Sequence, residues 1–398
     1  MEYVRLLSQG KILQEWWSEV KENFWVDDAK PQVLKLVKEL MESTMNEELE
    51  VYTQKEYQEL VERYKLYRNG YYRRTLVTQF GYLNDLRVPR LRRAGFKTKV
   101  FQRYHRYQDI VEDLIQEIFL AGVSTRRVGA AISKLLDAKV SHGTVSRITR
   151  RLDSKVREYH TRELLDEYQY LFLDGITLKV RYNTKYHNRK VLVAYGITLF
   201  GKRELISFRQ AKDESYEAWL SFIDDLYKKG LKGDNLKLVI TDGSKGLHAA
   251  LDMVYPLTKR QACWVHKLRN VSNYLPKRYQ EDCHNEATKI YLAKNKQEAL
   301  ILFKQWRRHW IRFCPNAVKC LEKDIDNLLS FFDFPKKHWI KIRTTNVIER
   351  QFKEIRRRTN VFSCFSNIPS CDRIIYAIFT HINNNWKERP LKDFTQFA

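Results

Sequence analysis

The spacing of hydrophobic positions changes several times along the chain, and each change marks a different kind of element. Over residues 1 to about 68, ILQEWWSEVKENFW, PQVLKLVKELMES and NEELEVYTQKEYQELVERYKLY repeat apolar residues every three or four positions, which predicts helices. From Tyr71 the period shifts toward two: RTLVTQF and LRVPRL, separated by GYLND, predict a small hairpin. Residues 108–152 return to helical spacing in three short pieces. QDIVEDLIQEIFLAG ends at Gly122, STRRVGAAISKLL opens at Ser124, and SHGTVSRITRRL opens at Ser141, both serines being good helix N-caps.

From about residue 166 the runs become strand-like. YQYLFLDGITLKV and KVLVAYGITLF are followed by GKRELISFRQA, the helix SYEAWLSFIDDLYKKG and the short run LKLVITDG. Three strands, a crossover helix and a fourth strand predict one mixed α/β sheet with the fourth strand parallel to the first. From 244 to about 330 the pattern is nearly all helical, through SKGLHAALDMV, CWVHKLRNVSNYL, EDCHNEATKIYLA and KQEALILFKQWRRHWIRF. A last helical stretch, TNVIERQFKEIRRR, leads into the C-terminal tail.

Composition narrows the partner. Lys and Arg number 72 against 48 Asp and Glu, a net charge of +24 on 398 residues of which 43% are hydrophobic, enough to fill real cores. No apolar run approaches the ~18 residues of a membrane span, and the start has neither the apolar core nor the cleavage site of a signal peptide, so a soluble intracellular protein is expected. Six cysteines without a CxxC pair fit a reducing compartment. No basic amphipathic helix or lipidation signal supports a membrane surface, which leaves phosphate backbone as the leading partner.

Two places concentrate that charge. Between Leu86 and Arg106 stand Arg87, Arg90, Arg92, Arg93, Lys97, Lys99, Arg103 and Arg106 with no acid among them, interleaved with Phe96, Phe101, Tyr104 and Tyr107. A phosphate-tracking arm is expected there, against the alternative of a solvated charge run. The third short helix presents Thr144, Arg147, Arg150 and Arg151, which with tight connections predicts a helix-turn-helix; an ordinary three-helix bundle with a basic face is the alternative.

Chemistry is expected at acids that follow apolar strands. Asp174 follows YLFL and Asp242 follows LVIT, each with glycine next, and burying lone carboxylates there is costly unless a cation compensates. An Asp-Gly turn is the plainer reading of either alone. Two hard divalent ions against a phosphodiester need a third carboxylate, for which Glu349 in RTTNVIERQFKEIRRR is the candidate; Asn346-x-x-Glu349 also reads as a capping box. Lys353, Arg356 and Arg357 follow one and two turns later, near the face of Glu349. Cys263-x-x-His266 reads as a buried cysteine with a hydrogen-bonded histidine, a histidine acting on the scissile phosphate or a carboxylate, or half a zinc site completed by Cys283 and His284. Trp306 and Trp310, four apart, read as core rather than as a stacking platform for a base. Gly243-Ser244-Lys245-Gly246 lacks the full phosphate-loop pattern, and Ile176 stands where a two-aspartate phosphatase needs its second acid.

Over nearly its whole length the chain resembles Mutator-type DDE transposases of bacterial insertion sequences. The matching pieces are RNGYYRRTL with LRVPR, AGVSTRRV with VSHGTVSRIT, LFLDGITLKV, VITDGSKG, CWVHKLRN and RTTNVIERQFKEIRRRT, in the family's order. The resemblance implies a multidomain α/β protein with an RNase H-like catalytic core interrupted by an all-helical insertion. Its parts would be an N-terminal helical region (1–68), a basic hairpin or arm (69–107), a helix-turn-helix domain (108–160), a first core segment (165–258), the insertion (259–335) and a second core segment (336–398). Asp174, Asp242 and Glu349 would be the acidic triad, with His266 beside them, and Cys263 and His266 the C-x-x-H signature of the insertion. The expected cofactor is a pair of magnesium ions, with manganese as substitute, and the expected activity is 3′-end cleavage and strand transfer.

The expected partners are double-stranded DNA, both the element's terminal inverted repeats and target DNA, and at least one further copy of the chain. The resemblance also implies a circular DNA intermediate and a place in the bacterial cytoplasm, at the nucleoid. A catalytically inactive helix-turn-helix regulator and a structure-selective nuclease are the alternatives. Three ionised carboxylates about 4 Å apart repel by about 4 kcal/mol per pair at an effective dielectric near 20, so convergence of the triad is what separates an enzyme from a regulator.

Overall fold

The computed structural model describes residues 29–64, 68–92, 96–102, 105–120, 123–183, 185–360 and 364–394, without the side chains of 54–64 and 182. The helix expected over ILQEWWSEVKENFW lies outside the described residues. The chain divides into two compact units, Met1–Arg151 and Leu152–Ala398.

In the first unit, helix α1 (Ala29–Tyr64) runs unbroken through both remaining N-terminal patterns, since no glycine or proline follows Pro31 within it. Its Met45 is fully buried with Leu76, Leu86, Val88 and Phe101 of the following segment. Strands β1 (Arg68–Thr78) and β2 (Gly81–Leu91) form the expected hairpin, but the turn is at Gln79 and Phe80 and GYLND lies inside β2. Gly81 at φ 138° and Asp85 at φ 57° absorb the irregular backbone within the strand. Asp85 falls at a register shift and pairs with Arg73 at 3.1 Å, so these polar residues make a bulge instead of a turn.

Helices α2 (Asp109–Leu120), α3 (Thr125–Leu136) and α4 (His142–Thr149) follow. Ser124 and Ser141 cap α3 and α4, accepting the N–H of Arg127 at 3.4 Å and of Thr144 at 3.1 Å. Between them Asp137 takes φ 49°, and Ser133 Oγ accepts the Val140 N–H at 2.9 Å while donating to the Gly129 carbonyl at 2.7 Å. Ile115, Val128, Ile132 and Val145 are fully buried where the three helices meet.

In the second unit, α5 (Leu152–Thr161) precedes the meander β3 (Tyr168–Tyr182), β4 (Lys185–Thr198) and β5 (Arg203–Ala211). Helix α6 (Tyr216–Lys228), capped by Ser215, crosses to β6 (Leu238–Thr241), which pairs parallel with β3 as the pattern predicts. After α7 (Lys245–Val254) comes a further parallel strand, β7 (Lys259–Ala262), within a stretch expected to be helical. Its four residues KRQA carry no apolar alternation, so nothing local announces a strand; pairing with β6 makes it one. The sheet order is β5-β4-β3-β6-β7.

Both faces of β3 are covered, which is why YLFL is an uninterrupted apolar run. Leu171 and Leu173 pack with Leu192 and Ala194 against Trp219, Phe222 and Leu247, while Tyr170 meets Phe334 and Phe394 on the other side. The chain then forms α8 (Trp264–Ser272), α9 (Lys277–Tyr291), α10 (Lys296–Trp310), α11 (Pro315–Glu322), α12 (Ile325–Leu328) and α13 (Trp339–Ile342). Trp306 and Trp310 are core residues of this block, their indole N–H groups donating to the Cys283 carbonyl at 3.2 Å and to Glu286 Oε2 at 2.9 Å. Helices α14 (Asn346–Thr359) and α15 (Ile368–Trp386) return to the sheet and pack on β3. All six cysteines are free thiols, and no described helix is long and apolar enough to cross a membrane.

The α3–α4 connection depends on a missing side chain. A Cβ on Gly129 would lie 2.6 Å from the Val140 carbonyl, a backbone atom that cannot swing aside. Gly129→Ala should therefore destabilise the three-helix unit by about 1–3 kcal/mol, read as earlier urea unfolding and faster proteolysis within residues 108–152. Wild-type stability in that variant would mean that the helices are not packed this closely.

Candidate active site

The register of the three parallel strands sets the site. Leu173 pairs with Thr241 and Thr241 with Ala262, so the next residues, Asp174, Asp242 and Cys263, stand side by side on neighbouring strands. This is the end of a parallel sheet where ligands characteristically bind. Asp174 is not at a strand end: β3 continues to Tyr182, so neither it nor Gly175 forms a turn. It is β6 that stops, opening the flank of β3 beside Asp174.

Asp174 is 8% exposed and accepts the Gly175 N–H at 2.7 Å. Burial pushes its carboxyl up to about 7, the Gly175 N–H works against this, and the charges of Asp242 and Glu349 add to the rise. Asp242 does occupy a strand-to-helix turn, with Gly243 at φ 88° and Ser244 N–H donating to its Oδ1 at 3.0 Å. Below it Thr241 is fully buried and shares a hydrogen bond with His248 at 3.1 Å.

Glu349 reaches the site through a buried knot. The Cys263 N–H donates to the Thr241 carbonyl at 2.8 Å, and the Trp264 N–H to the Arg343 carbonyl at 3.3 Å, which seats the start of α14 on the end of β7. Thr345, fully buried, donates its backbone N–H to Cys263 Sγ at 3.3 Å. That is the N–H a capping-box glutamate would serve, and the N-cap is Thr345 rather than Asn346, so Glu349 is free of the capping role. The Thr345 hydroxyl lies 3.2 Å from Cys263 Sγ, 3.3 Å from His266 Nδ1 and 3.1 Å from Glu349 Oε1. His266 Nε2 is 3.7 Å from the same carboxylate oxygen.

A hydrogen bond with Cys263 is the main cause that holds the His266 imidazolium, raised to about 9, with the Asp174 and Glu349 charges helping against burial. Burial pushes the Cys263 thiol up, but hydrogen bonds from His266 and Thr345 carry it below its ordinary value. Cys263, His266 and Glu349 thus form one cluster with atoms within 4.8 Å of one another. Cys283 and His284 do not join it: His284 bonds Ser272 at 2.6 Å and the Leu268 carbonyl at 3.1 Å, so the alternative of a zinc site completed by that pair is not assembled, and the cysteine with its hydrogen-bonded histidine is what the structure contains. Thr345 went unnoticed in the sequence, although the paired threonines of RTTN before a helix are a capping signal.

Among the described residues, no lysine or arginine is ion-paired with Asp174, Asp242 or Glu349. Asp174, Asp242 and Glu349 offer oxygen donors, which suit a hard divalent ion, but among the described residues Asp174 and Asp242 do not join Glu349 in the group whose ligand atoms lie within 4.8 Å of one another, and the His266 imidazolium stands beside Glu349. A second cluster, His105, Asp109 and Glu112, lies elsewhere, but Arg151 is ion-paired with Glu112 and already supplies the positive charge.

The basic residues separate by use. Arg87, Arg90, Arg92, Lys97 and Lys99 are exposed; Arg93 and Arg103 lie outside the described residues, as does Tyr104. Backbone N–H groups of Arg87 and Lys99 are held by Glu42 and Glu48 of α1, at 2.8 and 3.1 Å. A groove of about 1030 Å³, lined by Tyr72, Arg74, Arg90, Lys97, Lys99 and Phe101 among others, has no acid in its lining. Phe101 and Tyr107 are buried in the unit's core rather than displayed. On α4, Arg147 and Arg150 are exposed and Thr144 is half-buried, whereas Arg151 is tied to Glu112. On α14, Lys353 and Arg356 are exposed and Arg357 pairs with Glu354 at 2.8 Å.

Comparison with known proteins gives one answer. The family described as "Transposase, Mutator family" matches residues 13–389. The transposase for insertion sequence element ISRM5 of Rhizobium meliloti is 37% identical over 322 residues, 81% of this chain and 80% of the relative. The transposase for IS256 in transposon Tn4001 of Staphylococcus aureus is 32% identical over 368 residues, 90% of this chain and 91% of the relative.

The electrostatics predict a pH-dependent stability. Asp174 gains its proton far more readily folded, at about 7, than unfolded, at 3.8, so its contribution is full below about 4 and lost as pH rises through 7. His266 acts likewise, full below 6.5 and lost through about 9. Without divalent ions the melting temperature should fall from pH 6 to 9. Keeping Asp174 ionised at pH 8 costs on the order of 4 kcal/mol, so Asp174→Asn should melt several degrees higher than wild type at pH 8 in EDTA. Equal melting temperatures would show that Asp174 is not strained.

Proposed function

The chain belongs to the Mutator family of transposases, and on that premise we propose that it binds the terminal inverted repeats of an insertion sequence and carries out metal-dependent 3′-end cleavage and strand transfer at Asp174, Asp242 and Glu349. The observation that carries this reading is that Asp242 and Glu349 both act electrostatically on the buried Asp174 at the end of a parallel sheet, with no lysine or arginine ion-paired with any of the three among the described residues. The strand order, three antiparallel followed by two parallel, supports an RNase H-like core. The Ser-capped helices α3 and α4, packed with α2, support a helix-turn-helix.

Asp174, Asp242 and Glu349 would hold two magnesium ions, or manganese in their place. When bound, these supply positive charge that polarises the phosphodiester and lowers the pKa of the attacking water or 3′-hydroxyl. The chain's own groups fix the acids: the Gly175 N–H holds Asp174, the Ser244 N–H holds Asp242, and the Thr345 hydroxyl holds Glu349. His266 positions Glu349 and adds a positive charge beside the anionic substrate. The groove of the first unit takes duplex phosphates and Arg147 and Arg150 face the repeat, while Lys353 and Arg356 carry the cationic surface along α14. Joining two ends requires at least two copies on the DNA. The same site serves hydrolysis and strand transfer, since only the attacking hydroxyl differs.

Asp174→Asn, Asp242→Asn and Glu349→Gln should each lower cleavage and strand transfer on DNA carrying the element's ends by at least about a hundredfold, more than loss of an outer-shell partner gives. Full activity in any of them, assayed with magnesium against an EDTA control, would remove that acid from the triad. Arg147→Ala with Arg150→Ala should weaken binding to the ends by about tenfold or more while leaving chemistry on pre-nicked DNA in place. Unchanged binding would return α4 to a structural role.

A further inference from the structure

The meander beside Asp174 continues past the sheet as a free ribbon. Strand β4 pairs with β5 only from Lys190, and β3 pairs with β6 only as far as Leu173, so Leu178–Tyr182 and Lys185–Arg189 pair with each other beyond both neighbours. Five residue pairs at about 3.3 Å each extend it about 17 Å. The only described support on its other edge is Phe365, buried, which accepts the Arg181 N–H at 2.8 Å and donates to the Lys179 carbonyl at 3.0 Å. Because Phe365 follows α14, the ribbon is braced by the chain that leaves the Glu349 helix.

Its charge is one-sided. Residues 175–203 contain no Asp or Glu. Alternation along the strands puts Lys179 and Arg181 on one face, with Tyr186 opposite Arg181, and Lys185, His187 and Arg189 on the other. Lys179, Arg181, Lys185, Tyr186 and His187 are exposed, Tyr186 by 68%, with the Arg181 guanidinium 5.9 Å from its ring. The face that carries Leu178 and Val180 is buried on protein. The opposite face, with Lys179, Arg181 and Tyr186, and the exposed Lys185 at the tip present cations and an aromatic ring outward, which suits a phosphate backbone.

We infer that the outward face and tip of the β3–β4 ribbon are a further duplex-DNA grip, which lies along the backbone of the DNA at the acids and holds it by phosphate contact without regard to sequence. The inference rests on the proposed reading of the acids for which DNA lies there, but its chemistry is that of the ribbon alone.

The test uses the full chain in EDTA, so no cleavage step enters the measurement. A random-sequence duplex of about 40 base pairs is titrated between about 50 and 200 mM salt with wild type and with Lys179→Ala, Arg181→Ala and Lys185→Ala combined. Each phosphate contact contributes about 0.9 to the slope of log affinity against log salt. The triple variant should lose about 2 to 3 of that slope, bind at least about tenfold more weakly at 100 mM, and melt as wild type. Lys179→Arg with Lys185→Arg should restore the binding. Unchanged affinity and slope, with the loss appearing instead in Lys97→Ala and Lys99→Ala, would assign general duplex binding to the arm and overturn the inference. A separate failure of Asp174→Asn to affect cleavage would undo the catalytic reading while leaving the ribbon result standing.

Discussion

A carboxylate held in a strand buried on both faces is the constraint around which the second unit is arranged. Asp174 follows four residues that pack in two opposite layers, so its own backbone is fixed by the sheet and its side chain cannot retreat to water. The sheet accommodates this by ending β6 one residue earlier, so that the flank of β3 is open at the acid itself. The neighbours Asp242 and Glu349 add to the cost of its charge, and His266 offsets part of it. Folding alone would not select such a cluster, because replacing the acids by neutral isosteres relieves the repulsion. A divalent cation held there, as proposed, would offset that repulsion.

The third acid shows how a distant segment is brought to that point. The strand β7 exists to carry Cys263 next to Asp242, and Cys263 in turn takes the Thr345 N–H, which fixes where α14 begins. One sulfur therefore sets the height of Glu349 along the helix. Replacing it by a harder donor would alter the pairing with His266 as well, since the same cluster holds the imidazolium. The cysteine and histidine beside the acids thus have a mechanical meaning here: they fasten the sheet to the helix that carries Glu349.

Much of this was legible in the sequence because it is local. The serines at 124, 141 and 215 cap helices where the pattern places them, and β3, α6 and β6 follow from runs of apolar residues whose lengths allow only a crossover connection. The nearness of Asp174 and Asp242 follows from that topology. What the sequence could not display is what partners create. β7 is a strand only because β6 lies beside it, and the hairpin turn moved because Gly81 and Asp85 tolerate positive φ inside a strand. The polar run RYNTKYHNR carries no strand signal of its own, and the pairing of Tyr182 with Lys185 and of Leu178 with Arg189 extends the two strands through it.

Net charge has the same ambiguity, and the structure resolves it by asking what each cation already holds. Arg151 neutralises a buried glutamate, Arg74 lies over the ring of Phe101 at 4.1 Å, and Arg357 and Arg358 share Glu354. Those charges belong to the fold, and their removal would be felt as instability before it was felt as lost binding. Lys97, Lys99, Arg147, Arg150, Lys179 and Lys185 are exposed. An excess of +24 spread evenly would steer any polyanion to any face. Concentrated on a groove and a short helix of the first unit and on a ribbon of the second, the charge offers each unit its own surface for the proposed contact with DNA phosphates.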